Sequence, residues 1–261
     1  MNIPIYQVDA FTSRLFGGNP AAVVLLDDWL PDAVLLAIAA ENNLAETAFV
    51  IPRPDIAPLR WFTPAVEVDL CGHATLAAAD VLFRHRYPAA ERLSFDTRSG
   101  TLVVTRAGGV LSMDFPSRPG RPVAVSDGLV AALGARPREA HLARDLLAVF
   151  DTEAEVRAIK PDFAALAALD VFAVIVSAPG DGVDFVSRFF APRAGIPEDP
   201  VTGSAHCTLI PYWAQRLGKD ELVARQVSAR GGELACRLLG DRVVIKGRAV
   251  EYLRGEIDVG S

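Results

Sequence analysis

The sequence predicts an α/β protein made of two similar halves, each of which wraps β-strands around one central helix. The first observation is an internal repeat: residues 67–75 (EVDLCGHAT) and 198–206 (EDPVTGSAH) both begin with Glu and reach a Gly five positions later. The second is that the residues after each glycine are apolar almost all round, which for a helix indicates burial on every side. The third is the length of 261 residues, which suits two domains of about half that size.

The repeat extends upstream of the two loops. Residues 60–64 (RWFTP) match residues 188–192 (RFFAP), so the repeated unit covers a strand, a loop and a helix start. A glycine that opens a helix leaves backbone N–H groups unpaired, and the peptide dipoles add positive character there. If the halves pack about a pseudo-twofold axis, we expect the helix starts at Gly72 and Gly203 to converge on one cleft and hold an anion. Ordinary helix capping is the alternative.

The first half is predicted to combine short strands with two helices. Its strands are indicated by apolar and β-branched runs between turn residues, at residues 3–8, 21–26, 46–51, 59–62, 92–95, 101–105 and 110–115. Pro31 suits the first turn of a helix that we expect to end near Asn43. The central helix is predicted at 74–83.

The second half is predicted to repeat this plan. The Pro/Gly-dense residues 116–122 are expected to link a domain at 1–115 to a domain at 123–261, whose last strand is free to cross back to the first domain. Short helices are predicted at 127–133 and 153–159, and a central helix at 207–213. The strands are predicted at residues 171–176, 183–190, 226–229, 233–238, 242–246, 250–253 and 256–259.

Composition argues against several classes of function. No apolar run reaches the ~18 residues that span a bilayer, and residues 1–5 lack the features of a signal peptide, so we expect a cytoplasmic protein that binds no membrane. The net charge is −6, and no basic cluster interleaves with aromatic residues, so no nucleic acid partner is expected. The three cysteines predict reduced thiols. Dinucleotide, P-loop and zinc motifs are missing, so neither a cofactor nor a metal is expected.

Glu46 is the candidate acid–base residue. It opens an apolar strand between Leu44 and Ala48, where a solvated charge would be out of place. Burial disfavours the charged form of a carboxyl group, and a carboxyl group that exchanges its proton near neutral pH can move a proton to and from carbon. The alternative interpretation is an exposed acid at a strand edge.

The repeat loops supply further candidates. His73 and Asp199 lie beside the repeat glycines, and Ser204 is the counterpart of His73, so we expect all three to face a substrate; capping and turn hydrogen bonds are the alternative. Cys71 precedes a helix N-terminus, where a thiol has a depressed pKa, but its counterpart Thr202 cannot ionise near neutral pH. A racemase with two thiols is therefore not supported.

Five motifs carry a resemblance to a known family: GGNP at 17–20, ETAF at 46–49, FTP at 62–64, CGHAT at 71–75 and EDPVTGSA at 198–205. Together, over the whole chain, they resemble the PhzF-like phenazine biosynthesis family. The resemblance implies the diaminopimelate epimerase-like fold, an α/β (α+β) class with two pseudo-symmetric domains, each a rolled and mostly antiparallel sheet around a central helix. It also implies an active site between the domains and a homodimer.

The resemblance further implies a cofactor-independent isomerase that moves a proton within a small carboxylated metabolite. By position, Glu46, His73 and Asp199 match catalytic residues. Substrate contacts are implied for His73 and Asp199 and for the residues at the helix starts, which are Cys71, Gly72, Thr202, Gly203 and Ser204. The substrate does not follow, and neither does phenazine synthesis.

Two alternatives stay open. Cys71 paired with Thr202 also resembles Cys/Thr dehydratases of hydroxyproline-type substrates, so a Cys71-based epimerase or dehydratase of an amino or imino acid competes with the isomerase. The other alternative is a non-catalytic binder of small carboxylates.

Overall fold

A computed structural model describes residues 1–260; Ser261, the last residue of the predicted second domain, lies outside the described part. The chain divides into two compact units. Unit 1 comprises residues 1–114 together with the C-terminal residues from 246 onward, and unit 2 comprises residues 115–245. Among residues 1–260, no helix is long and apolar enough to cross a membrane.

Unit 1 is a mostly antiparallel sheet with two helices, α1 (Asp32–Asn42) and α2 (Gly72–His85). Its strands are β1 (Asn2–Ala10), β2 (Asn19–Leu25), β3 (Glu46–Val50), β4 (Ala57–Phe62), β5 (Glu67–Val68), β6 (Arg92–Thr97) and β7 (Gly100–Ala107), with the C-terminal β18 (Ala249–Asp258). The lateral order is β18, β1, β2, β3, β4, β6, β7. The β2–β3 and β4–β6 pairs are parallel, and α1 and α2 are the crossovers that parallel pairing requires.

Unit 2 repeats this order. Its helices are α3 (Asp127–Leu133), α4 (Glu153–Ala158), α5 (Phe163–Ala168) and α6 (Gly203–Leu217). Its strands are β9 (Arg121–Val123), β10 (Glu139–Leu142), β11 (Leu146–Val149), β12 (Val174–Pro179), β13 (Phe185–Ala191), β14 (Ile196–Asp199), β15 (Glu221–Gln226) and β16 (Gly232–Leu239). They lie in the order β9, β10, β11, β12, β13, β15, β16, with β11–β12 and β13–β15 parallel. Each pairing in unit 2 thus has its counterpart in unit 1, as the internal repeat predicts.

The sequence boundary between the two units falls inside a strand in both places, within β8 (Val110–Pro116) and within β17 (Arg242–Gly247). The predicted central helices are confirmed. In α2, every residue from 73 to 83 is buried, and α6 buries most of residues 203–214. Burial around the whole circumference explains why neither helix shows the polar stripe of a surface helix. The predicted fold class is confirmed.

Some sequence-based boundaries differ from the structure. The predicted strand at 226–229 is wrong, because β15 ends at Gln226 and the Ser228 hydroxyl instead donates to the carbonyl of Pro200 at 2.7 Å. The strands predicted at 250–253 and 256–259 are one strand, since Gly255 pairs with Ile5 inside the ladder.

The predicted linker and domain limits also differ from the units. Residues 121–123 form β9, so the end of the predicted linker at 116–122 belongs to a sheet. The C-terminal residues belong to unit 1 because β18 pairs antiparallel with β1, the crossing back that the sequence analysis left open. The division of the chain into a domain at 1–115 and a domain at 123–261 stays a prediction.

Candidate active site

Glu46 is a buried carboxylate inside unit 1. It is the first residue of β3 and is 8% exposed. The next residue, Thr47, accepts a hydrogen bond from Asn42 of α1, and Phe49 packs in the apolar cluster that α1 covers. Because side chains alternate along a strand, Glu46 faces the opposite side of the sheet, where α2 packs. The interpretation as an exposed strand-edge acid is therefore wrong.

The N-terminus of α2 brings two more reactive groups to this carboxylate. His73 Nε2 lies 3.2 Å from Glu46 Oε2. On the other side of the ring, His73 Nδ1 lies 3.5 Å from Cys71 Sγ and 3.1 Å from Asn19 Nδ2. All four side chains are buried. The imidazole therefore stands between a thiol and a carboxylate, and all three residues are more than nine-tenths buried.

Burial and neighbouring groups together shift the pKa values in this cluster. Burial raises the pKa of Cys71 to about 11, so the thiol keeps its proton at neutral pH. The expectation of a depressed thiol pKa is therefore wrong, because desolvation outweighs the helix N-terminus. Burial alone lowers the pKa of His73, but Cys71 and Glu46 raise it well above the ordinary value for histidine. The neighbouring Cys71 and Glu46 side chains thus favour the protonated form of His73.

The corresponding loop of unit 2 is built around Asp199. The Thr202 hydroxyl donates to Asp199 Oδ2. Gln226 accepts from the Thr202 N–H at 2.9 Å and donates to the Asp199 carbonyl at 2.7 Å. Thr202 therefore serves to orient the Asp199 carboxylate. Ser204 is half-buried in the first turn of α6.

Gln226 is a site residue that the sequence analysis missed. It is fully buried, and it holds both Asp199 and Thr202. Along β15 the buried positions are Leu222, Ala224 and Gln226, so an amide stands where the alternating pattern requires an apolar side chain. A polar residue at a position where the alternating pattern of the strand places buried apolar side chains was the signal that could have identified Gln226.

The two central helices begin at Gly72 and Gly203, as predicted. Within residues 1–260, Thr202, the N-cap residue of α6, makes no side-chain capping hydrogen bond to that helix, because its hydroxyl donates to Asp199. The capping alternative is therefore wrong for Thr202. The N-terminal turns keep the positive character that favours an anion.

Each repeat loop is tied to the preceding strand by an arginine. Arg60 binds both carboxylate oxygens of Glu67, at 2.7 and 2.8 Å. Arg188 binds both oxygens of Glu198, at 2.8 and 3.0 Å. Bidentate pairs of this kind fix geometry as well as adding energy. They hold the start of each loop in place before the chain turns into α2 or α6.

His206 is the counterpart of Thr75 in the repeat. The Thr75 hydroxyl donates to the Cys71 carbonyl at 2.5 Å, and His206 Nδ1 donates to the Thr202 carbonyl at 2.8 Å. Within residues 1–260, His206 Nε2 has no hydrogen-bond partner. Burial lowers the pKa of His206 to about 4, although the Thr202 carbonyl opposes the shift. His206 is therefore a neutral structural residue.

This shift predicts acid sensitivity. The unfolded chain takes up a proton at His206 near pH 6.5, whereas the folded chain does so only near pH 4. Stability supplied by the neutral ring is therefore lost as the pH falls between these values, by roughly 3 kcal/mol. The contribution of His73, whose pKa is raised, changes only above its unfolded value, so the two windows do not overlap.

Urea unfolding of wild type and His206→Asn between pH 7 and pH 4 measures this effect. Asparagine keeps a donor for the Thr202 carbonyl but has no proton to gain. We expect the loss of stability toward pH 4 to be smaller in the variant by the amount given above. An identical pH dependence in both proteins would show that His206 does not titrate as proposed.

The fold and this cluster define a class of protein: a duplicated α/β fold with a buried carboxylate and imidazole at the N-terminus of a central helix. The sequence profile described as "Phenazine biosynthesis-like protein" matches residues 8–255. The chain belongs to this family, which confirms the resemblance seen in the sequence.

Individual relatives agree with this assignment. A Pseudomonas aeruginosa protein named "Uncharacterized isomerase PA2770" is 54% identical, over 98% of this chain and 99% of the relative. The crystal structure of a PhzF family protein from Enterococcus faecalis is 50% identical, with a TM-score of 0.97 over 99% of this chain and 100% of that one. A hydroxyproline epimerase from Agrobacterium vitis, 10% identical with a TM-score of 0.63 over 99% and 93% of the two chains, shares the fold.

Proposed function

We propose that this protein is a cofactor-independent isomerase in which Glu46 moves a proton within a small carboxylated substrate. The observation that carries the proposal is the buried pair of Glu46 and His73, 3.2 Å apart at the start of α2. The naming of a 54% identical relative as an isomerase supports the class of reaction.

The proposed reaction needs one base and one source of positive charge. The Glu46 carboxylate takes a proton from a carbon near the substrate carboxylate, and the electron pair left behind is delocalised as an enolate. The same carboxyl group then gives the proton back at a different carbon. The His73 ring, which lies beside Glu46, would stabilise the negative charge that develops on the enolate as Glu46 takes the proton, and burial strengthens this effect.

The proposal extends to unit 2 through the repeat. Ser204 is the counterpart of His73, and Gly203 is the counterpart of Gly72. Asp199 is held by Thr202 and Gln226, as a residue that positions a substrate should be. We propose that Asp199, Gly203 and Ser204 contribute to binding the same substrate as His73.

The function is tested by a screen of small cyclic or unsaturated amino and hydroxy acids, followed by proton NMR. Conversion of one of them to an isomer of equal mass is the expected result. Saturable binding across the panel without any conversion would instead favour the non-catalytic carboxylate binder.

The anion site stays a prediction. With a net charge of −6, the overall field of the protein repels an anionic substrate, so affinity has to come from local groups such as the amides at Gly72 and Gly203. We expect sulfate or tartrate, soaked into crystals, to bind both Gly72-His73 and Gly203-Ser204. Anions that avoid these two helix starts would contradict the prediction.

The Cys71-based epimerase or dehydratase is the second candidate, because Cys71 Sγ lies 3.5 Å from His73 Nδ1. A thiol with a pKa of about 11 is a poor base at neutral pH, which favours Glu46. We therefore expect Cys71→Ser to retain most of the wild-type turnover. If Cys71→Ser is inactive while Glu46→Gln remains active, the reaction depends on the thiol and the second candidate is correct.

A further inference from the structure

We propose that Glu46, Cys71 and His73 also form a binding site for Zn²⁺ and similar thiophilic divalent cations. The site itself does not depend on the proposed isomerase reaction. A consequence that does depend on it is inhibition, because a bound cation would occupy the carboxylate and imidazole that move the proton.

The first argument is distance. One ligand atom from each of the three residues can be chosen so that all lie within 4.8 Å of one another. Zinc bonds of ~2.3 Å to sulfur and ~2.0–2.1 Å to nitrogen or oxygen place tetrahedral S and N ligands about 3.6 Å apart and N and O ligands about 3.3 Å apart. The observed separations are 3.5 Å from Cys71 Sγ to His73 Nδ1 and 3.2 Å from His73 Nε2 to Glu46 Oε2.

The second argument is chemistry. A thiolate, an imidazole and a carboxylate are the three ligand types that zinc prefers, and three protein ligands leave the fourth position open for water or a substrate oxygen. Binding would release to solvent the proton of the Cys71 thiol and any proton on the ligating nitrogen of His73. All three side chains are at least nine-tenths buried, and within residues 1–260 Glu46 Oε2 and His73 Nε2 have no geometrically sound hydrogen bond. A cation would satisfy both atoms.

The third argument concerns the movement that binding needs. The imidazole turns Nδ1 toward the thiol and Nε2 toward the carboxylate, and one ion can take only one of these nitrogens. Within residues 1–260, Nε2 is the ring nitrogen without a hydrogen-bond partner, so a cation would bind Nε2 and Glu46 Oε2, and Cys71 Sγ would have to approach by roughly 1 Å to reach tetrahedral spacing. Rotation of the Cys71 side chain about its Cα–Cβ bond, together with a small turn of the His73 ring, can supply a shift of this size.

Sequence spacing alone does not reveal this site, because Glu46 is far from Cys71 and His73 in the chain and no zinc motif joins them. The third ligand is Glu46, which the pairing of β3 with β2 and the packing of α2 bring to Cys71 and His73.

Titration of the full-length protein with Co²⁺ tests the proposal, because cobalt reports its ligands in its absorption spectrum. We expect one Co²⁺ per chain, a thiolate-to-cobalt charge-transfer band in the near ultraviolet, and loss of that band when Zn²⁺ is added. Cys71→Ser should remove the band and weaken Zn²⁺ binding by more than the ~10–100-fold that loss of an outer-shell partner costs. Glu46→Gln should weaken binding without removing the band.

Cys207→Ser is the matched control, since Cys207 is an equally buried thiol in unit 2. It should leave the cobalt spectrum unchanged. A folded wild-type protein that shows no charge-transfer band, or a band that persists in Cys71→Ser and disappears in Cys207→Ser, would overturn the proposal. The spectrum needs no turnover, so failure of the metal site and failure of the isomerase proposal are separate results.

Discussion

Replacing Glu46 with Gln is expected to lower turnover by ~10²–10⁴, the usual contribution of a positioned acid–base group. The amide has nearly the same shape as the carboxyl group, and Glu46 lies in a short strand whose backbone pairing does not involve the side chain. The fold and the affinity for substrate should therefore change little. Steady-state rates on a substrate from the NMR screen, together with circular dichroism, measure both parts of the prediction.

Glu41→Gln is the control for this substitution. Glu41 is exposed on α1, and the change removes the same charge without touching the cluster. It should leave turnover at the wild-type level. Undiminished turnover in Glu46→Gln would remove Glu46 from the mechanism.

Replacing Arg188 with Met is expected to lower the free energy of unfolding by ~2–4 kcal/mol, slightly less than the ~3–5 kcal/mol that breaking a fully buried charge pair from one side costs. The Arg188 side chain is 11% exposed and that of Glu198 is 22% exposed, so solvent screens the pair in part. Besides its two bonds to Glu198, it donates to the carbonyls of Val156 and Ile159 at 3.2 and 2.8 Å. The substitution leaves the Glu198 carboxylate and two carbonyls without these donors. Chemical denaturation at constant pH measures the loss.

Two comparisons make this prediction specific. Arg53→Met removes an exposed arginine and should cost less than about 0.5 kcal/mol. Adding Glu198→Gln to Arg188→Met should recover part of the stability, because the stranded carboxylate is then gone. If Arg188→Met costs no more than Arg53→Met, the arginine does not hold the Asp199 loop.

The repeat made much of the fold predictable. The RWFTP and RFFAP segments place Arg60 and Arg188 at matching positions, and the structure gives both the same bidentate partner at the start of the loop. Helix starts at Gly72 and Gly203 followed from the change in hydrophobic pattern alone. The positions of the two arginines and of the two helix starts are determined by neighbouring residues, so the sequence alone was sufficient to predict them.

Contacts between distant segments were harder to predict. The burial of Glu46 was inferred from its apolar neighbours, but its contact with His73 depends on strand β3 meeting the start of α2. The last strand is continuous because Gly255 pairs with Ile5 in the β1–β18 ladder. Glycine is more typical of turns than of strands, so the sequence did not indicate this pairing. The role of Gln226 follows from hydrogen bonds to a loop more than twenty residues earlier. No local pattern encodes such pairings.

The most direct test of the proposed mechanism is the appearance of deuterium on substrate carbon over many turnovers in deuterated water, followed for wild type, Glu46→Gln and Cys71→Ser. While the enolate is bound, a fraction of the protonated Glu46 exchanges its proton with solvent before returning it, and over many turnovers this exchange places deuterium on the substrate carbon. We therefore expect wild type and Cys71→Ser to incorporate deuterium at similar rates. Incorporation by Glu46→Gln should be lower by ~10²–10⁴. Exchange that survives in Glu46→Gln and is lost in Cys71→Ser would contradict the account.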